Sequence, residues 1–174
     1  YHHVGGLDRD LYAHMEEVDL CWRIKNAGYK IAYVPNATVY HVGGSVISYG
    51  STQKLFYNFR NSLILLLKNE RSAKLCWLLP VRLVLDGVAG LQLLLQGKWK
   101  HTLTIVKAHF SFYGQLGLWL KKRAQNKSLI TNRNTVGIYN KSVIWQYFAK
   151  KKRTFKALDF QTKSYVSMPQ AVRH

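Results

Sequence analysis

Along the first third of the chain, Leu20, Ile24 and Ala27 recur at i, i+4 and i+7, with Arg23, Lys25 and Asn26 between them. That spacing predicts a helix with one buried stripe, and Gly28 suits the left-handed residue that ends such a helix. The period then changes. Ile31 to Val34 and Thr38 to Val42 are β-branched and aromatic runs separated by Pro35-Asn36, which predicts two short strands or one strand with a sharp bend. The stretch Gly43 to Ser51, rich in glycine and serine, reads as a loop. From Thr52 to Lys68 the helical period returns, with Leu55, Phe56, Phe59, Leu63, Leu66 and Leu67 on a broad apolar face and Lys54, Asn58 and Arg60 on the opposite edge. Ser51 or Thr52 can serve as its N-cap.

Leu75 to Gln96 is nearly all apolar and long enough to cross a bilayer by the rule of ~20 apolar residues. Pro80, Arg82, Asp86 and two glycines interrupt it. Arg82 and Asp86 stand four apart on one helical side, so they can pair or form the wet edge of a segment lying in the membrane interface. Interfacial placement is the expectation. Trp99 to Lys122 forms a further helical stretch in which Tyr113 and Trp119 sit near lysine clusters, and the tail places Trp145, Tyr147 and Phe148 beside Lys150, Lys151, Lys152 and Arg153. Such mixtures suit a headgroup boundary.

Charge divides the chain in two. Up to Gln53 there are four Lys or Arg against five acids, and from Lys54 onward 22 against three, within a total of +18. The basic part favours polyanionic partners, whether nucleic acid, anionic lipid or phosphorylated substrate. With 174 residues and 48% hydrophobic content, the chain can bury a core. Cys21 and Cys76 lie in apolar runs without a CxxC, which supports neither a disulfide framework nor a thiolate zinc site. The chain opens on Tyr1 without an initiating Met or a signal segment, and so reads as part of a longer polypeptide.

Glu16, Glu17 and Asp19 crowd the start of the first helix. Acids there interact favourably with the helix dipole, by about 0.3–1 kcal/mol each. Three in four positions also repel one another, and a cation, a metal or a substrate proton would compensate them. His41, at a strand end before Gly43-Gly44, is by itself more often a hydrogen-bonded surface residue than a ligand, although the glycines permit close approach of a ligand.

Taken together, "VGGLDRDLYAHMEEVDLCWRIKNAGYKIAYVPNATVYHVGG" resembles the second half of the catalytic domain of family 2 glycosyltransferases, inverting enzymes of the GT-A fold that include bacterial cell-surface sugar transferases. "KLFYNFRNSLILLLKN" extends the resemblance to Asn69. It implies an α/β fold: residues 1–53 as the C-terminal portion of a GT-A, Rossmann-like catalytic domain with short strands, and residues 54–174 as a basic, mostly helical, membrane-associated region. The family's metal-site Asp-x-Asp motif belongs to the nucleotide-binding half of that domain, which is not in this sequence.

The resemblance also implies roles. Gly5, Gly6 and Asp8 look like the turn before the acceptor-site helix, and Glu16-Glu17 like the family's Glu-Asp motif. Glu17 then holds the base position, where relatives mostly carry Asp. Asp19 matches a supporting acid, and His41 the histidine that joins Asp-x-Asp around a divalent cation, Mg2+ or Mn2+. Arg60 either contacts an acceptor phosphate or stands as an exposed helix charge. The implied reaction is transfer of a sugar with inversion from a nucleotide-sugar donor to a glycan or lipid-linked acceptor, at the cytoplasmic face of the bacterial inner membrane. An anionic membrane surface, and no nucleic acid, is the expected macroscopic partner, and the isolated chain is expected to turn over nothing. The alternatives are a basic nucleic-acid-binding module, which leaves the acids and His41 unexplained, and a metal-dependent hydrolase using Glu16, Glu17 and His41.

Overall fold

The computed structural model describes residues 1–40, 50–130, 133–135, 138–139 and 141–158. The chain divides into two units, residues 1–133 and 134–174. The first contains short 3-10 turns at His2–Val4 and Arg9–Leu11 and five helices: α1 (Glu16–Asn26), α2 (Thr52–Asn69), α3 (Ser72–Leu95), α4 (Trp99–Gly114) and α5 (Leu116–Ser128). The second contains a short helix, α6 (Val143–Phe148), and a 3-10 turn at Phe155–Ala157.

Helix α2 is the centre of the first unit and touches α1, α3, α4 and α5. Its start is set by Ser51, whose Oγ accepts from the Lys54 N–H at 3.2 Å, as expected of an N-cap serine. Leu63, Ile64, Leu65 and Leu67 on α2 pack with Leu11, Phe112 of α4 and Trp119 of α5 to form the core. Trp22, Leu75, Leu79 and Leu83 close its edges. The second half of α2 is enclosed on all sides, so Arg60, Asn61, Lys68 and Asn69 are buried with the leucines.

The α/β expectation is overturned. Among the described residues there is no strand or sheet, and the first unit is a helical bundle. Residues 29–40 carry the β-branched and aromatic pattern yet are exposed throughout and pair with nothing in a ladder. Pro35-Asn36 does turn the chain, with the Ala37 N–H donating to Val34 O at 3.2 Å. The physical reason is that β propensity expresses a fit to neighbouring strands. No strand lies beside this segment among the described residues, so the run has no ladder to join. The rest of the second expected strand, from His41, lies outside the described residues, as does most of the expected loop.

Two helices differ from the simple pattern. The side of α1 that is fully buried is Asp19, Arg23 and Asn26, with Ala27 after them, while Leu20 and Ile24 are half-buried. These polar residues follow the same i, i+4, i+7 rule, one position out of phase with the apolar stripe. The expected stretch Trp99 to Lys122 is two helices broken at Gly114-Gln115. In the second unit, the Ser142 hydroxyl caps α6 by accepting from the Trp145 N–H, and the Arg153 guanidinium sits 4.3 Å from the Tyr147 ring centroid.

Candidate functional site

A buried charge cluster joins α1 to α2. Asp19, wholly inaccessible, accepts from Arg23 Nε at 2.9 Å, from Lys68 Nζ at 3.1 Å and from Asn69 Nδ2 at 2.8 Å. Arg23 also donates to the carbonyls of Val4 and Gly6, which draws the turn between them onto α1. Gly5 and Gly6 occupy that turn at φ +80 and +63, values that favour glycine. A side chain at Gly6 would in addition collide with the Tyr1 ring at about 3 Å. Lys68 reaches past Asp19 to Asp8, which Lys122 of α5 also holds, and Lys122 binds Asp10 as well. Asn126 completes the group by donating to Asn69 Oδ1 at 3.0 Å.

The stretch leading into α1 is held in strained backbone. Tyr12, His14 and Met15 all have positive φ, between 63 and 69, a costly conformation for side chains other than glycine that persists only where surroundings enforce it. Asn61 is one enforcing group: its Nδ2 donates to Leu11, Ala13 and His14 carbonyls at 3.0, 2.8 and 2.7 Å. Arg60 is the other, donating from Nη2 to Asp10 O and Leu11 O at 3.1 Å and from Nε to Asn61 Oδ1 at 3.0 Å. Its guanidinium lies 5.1 Å from the Tyr57 ring centroid, and Tyr57 stacks on Tyr12. Burial pushes the Arg60 guanidinium below its usual range. Arg60 is thus occupied with backbone carbonyls inside the fold, rather than standing on an exposed edge.

The strained stretch delivers the chain into α1 with its acids sorted. Asp19 is neutralised by Arg23, Lys68 and Asn69. Glu17 is exposed. Glu16 is half-buried, and its Oε2 is shielded from solvent with no hydrogen-bond partner among the described residues. A sheltered acceptor atom without a donor is uncommon in a native structure.

A separate cavity of about 600 Å³ opens beside the charge cluster, lined by Gly5, Asp8, Arg9, Asp10, Lys68 and Lys122 among others. Glu16, Glu17 and Arg60 do not line it. Of the residues expected to bind substrate, then, Gly5 and Asp8 share this cavity, Gly6 supplies its carbonyl to Arg23, and Arg60 braces the strained stretch.

Burial alone would raise the Asp8 carboxyl, but hydrogen bonds from Lys122 and Lys68 and their charges outweigh it and lower its pKa from 3.8 to about 2. Burial likewise works to lower the Lys122 ammonium, and its bonds to Asp10 and Asp8 raise it instead. A depressed carboxyl stabilises the fold in full above its unfolded value and ceases to do so as pH falls through its folded value. Asp8 therefore contributes stability above about pH 4 that disappears toward pH 2. Allowing for partial exposure of the site, the contribution is about 1–2 kcal/mol. Denaturant titrations at pH 5 and pH 2 are expected to show the gap between the two pH values shrinking by that amount in Asp8→Asn. Identical gaps in parent and variant would refute the role given to Asp8.

His41 lies outside the described residues. Among the described residues no group of three or more His, Cys, Asp or Glu side chains is arranged to hold a metal ion. The acids that do converge, Asp8, Asp10 and Asp19, are already paired with Lys and Arg. The described donors thus do not fit a Mg2+ or Mn2+ site.

No family model, curated protein or solved structure matches this chain. The residues that sequence reasoning passed over are Lys68, Asn69 and Lys122, which complete the charge cluster. One signal was available: Lys68 and Asn69 follow directly on Leu63 to Leu67, and polar residues closing so apolar a run must find partners if that helix is enclosed.

Proposed function

We propose that this chain carries the acceptor-side portion of an inverting, nucleotide-sugar-dependent glycosyltransferase working at an anionic membrane surface. The observation that carries the reading is the sorting of the three acids at the start of α1: Asp19 is consumed in the fold, while Glu17 stands exposed and Glu16 keeps an Oε2 without a hydrogen-bond partner, immediately after a backbone held in strain. Conformational strain of this kind clusters at functional sites. The motif Glu16-Glu17, its spacing from Asp19, and Arg60-Asn61 are among the residues that carry the family resemblance.

In the proposed reaction Glu17, open to solvent, accepts the proton of the acceptor hydroxyl while that oxygen bonds to the anomeric carbon of the donor. The bond from that carbon to the diphosphate breaks, its electron pair leaves with the nucleoside diphosphate, and the configuration inverts.

The membrane part of the reading is supported by α3 and α4. Helix α3 is long and apolar enough to cross a membrane by length and composition, yet it also packs against α2 and α4 and carries Pro80, Arg82 and Asp86. Trp77, Val84, Val88 and Leu95 of α3 and Trp99 and Phe110 of α4 are each more than half exposed. Placement in the interface plane covers these exposed apolar side chains.

The test is a transfer assay on the chain in its natural polypeptide, with α-linked nucleotide-sugars and a lipid-linked acceptor presented in anionic vesicles. Sugar transfer giving a β-linked product is expected. Absence of transfer across the common nucleotide-sugars, or a product of retained configuration, would overturn the proposal.

A further inference from the structure

Helices α3 and α4 run antiparallel around the turn at Gln96–Lys98 and leave an apolar groove of about 430 Å³ between them. From α3 it is lined by Leu83, Gly87, Gly90, Leu91 and Leu94, and from α4 by Ile105, Val106 and Phe110 among others. On each helix these positions recur at three- and four-residue spacing, so one whole stripe of each faces the trough. Leu83 to Leu94 spans roughly 16 Å at 1.5 Å per residue.

Glycines shape the trough. At Gly90 the helices approach closely: a Cβ there would sit 3.7 Å from the Thr102 methyl, and the Thr102 hydroxyl donates to Gly90 O at 2.9 Å. One turn earlier, a Cβ on Gly87 would meet no atom within 4 Å. A helix-interior glycine costs about 0.5–1 kcal/mol against alanine, and at Gly87 no close packing requires it. What glycine preserves there is empty apolar space.

A polar group lies in the groove wall toward the end away from the turn. Asp86 is buried, 2.7 Å from Arg82 Nε and 3.0 Å from His109 Nε2. Asp86 is also the one acid between Ser72 and Gly114, a stretch that contains Lys74, Arg82, Lys98, Lys100 and Lys107. With that acid buried and paired, the charge the hairpin presents outward is positive. At the opposite end, where the turn joins the helices, Lys98 and Lys100 are exposed beside exposed Leu94 and Trp99.

We propose that the α3–α4 groove binds a single hydrocarbon chain of an anionic, phosphate-bearing lipid, with the chain along Leu91, Leu94, Ile105, Val106 and Phe110 and the headgroup at Lys98 and Lys100. An apolar trough of this volume falls in the range of small-molecule sites. The charge at its open end selects an anionic amphiphile over a neutral one. The groove is continuous with the exposed apolar faces of the same two helices, so a lipid enters it from the bilayer without crossing water. The proposal shares with the proposed function only the membrane surface and requires no sugar transfer.

The test uses dodecyl phosphate below its micelle-forming concentration, with calorimetry and methyl NMR on the whole chain. One-to-one saturable binding is expected, with shifts at Leu91, Leu94, Ile105 and Val106. Gly87→Leu fills the trough from an open position and is expected to weaken binding at least tenfold with an unchanged or raised melting temperature. Lys98→Gln combined with Lys100→Gln is expected to weaken it several-fold, and inorganic phosphate alone is expected not to compete. Equal affinity in Gly87→Leu, or no saturable binding by the parent, overturns the site. A dimer dispersed by Gly87→Leu, without uptake of dodecyl phosphate, assigns the groove to a second copy of the chain and also overturns it. Sedimentation with anionic vesicles separates this from the surface reading: Gly87→Leu is expected to sediment as the parent does, whereas failure of both to sediment refutes membrane association itself.

Discussion

Replacing Asp19 by alanine is expected to lower the unfolding free energy by about 3–5 kcal/mol, the range for removing one partner of a buried ion pair. The carboxylate satisfies Arg23, Lys68 and Asn69 at once, and Arg23 and Lys68 are themselves only 5% and 3% exposed. Without it, Arg23 keeps its backbone acceptors but no counter-charge in contact, and Lys68 keeps only Asp8. Since a domain of this kind is stable by about 5–15 kcal/mol, the loss is a large part of the whole. Asp19→Asn retains shape and one acceptor oxygen and is expected to lose less. Urea denaturation at pH 7 measures both. A loss below about 1 kcal/mol for Asp19→Ala would place Asp19 among the weakly contributing ion pairs of protein surfaces, contrary to its burial.

In the proposed transfer reaction, Glu17→Gln is expected to lower the rate by about 10²–10⁴-fold, the usual worth of a positioned general base. Folding stability should change by no more than about 1 kcal/mol, the limit of a first-turn acid's interaction with the helix dipole. Glu17→Asp, which restores the acid most common in the family that the motif resembles, should keep most of the activity. Glu16→Gln retains an acceptor oxygen and should cost less than Glu17→Gln. Full activity in Glu17→Gln with loss in Glu16→Gln would move the base to Glu16, and full activity in both would end the proposed chemistry. The contrast with Asp19 is the informative part: three neighbouring acids of one helix turn should separate cleanly into one that moves stability and two that move rate.

Local signals were legible wherever their cause was local. Ser51 caps α2, Gly28 adopts positive φ after α1, Pro35-Asn36 turns, and Arg82 pairs with Asp86 one helical turn away. What could not be read was anything decided by a distant partner. The run Ile31 to Val34 looks like a strand because its side chains favour a pleated surface, but only a neighbouring strand makes one. Leu20 and Ile24 look like the buried stripe of α1, yet Asp19 goes inward because Lys68 and Asn69, some fifty residues later, compensate it, and Arg23 follows it, held by Asp19 and the Val4 and Gly6 carbonyls. Arg60 shows the same effect: its place on a polar edge is visible in the helical spacing, and the carbonyls of Asp10 and Leu11 that draw it inside are not. For the candidate site, the acids were visible as a cluster, whereas their division into structural and available members depends on contacts made from α2. His109 as the second partner of Asp86 was likewise hidden, since it lies on the next helix.

The central position of α2 has a consequence for how the first unit comes apart. Because α1, α3, α4 and α5 each lean on it, none can detach fully without uncovering a side of the helix that carries most of the core leucines. Partial opening is thus penalised from every direction, and the amide protons in the latter half of α2 are released to solvent only in the same event that dissolves the whole bundle.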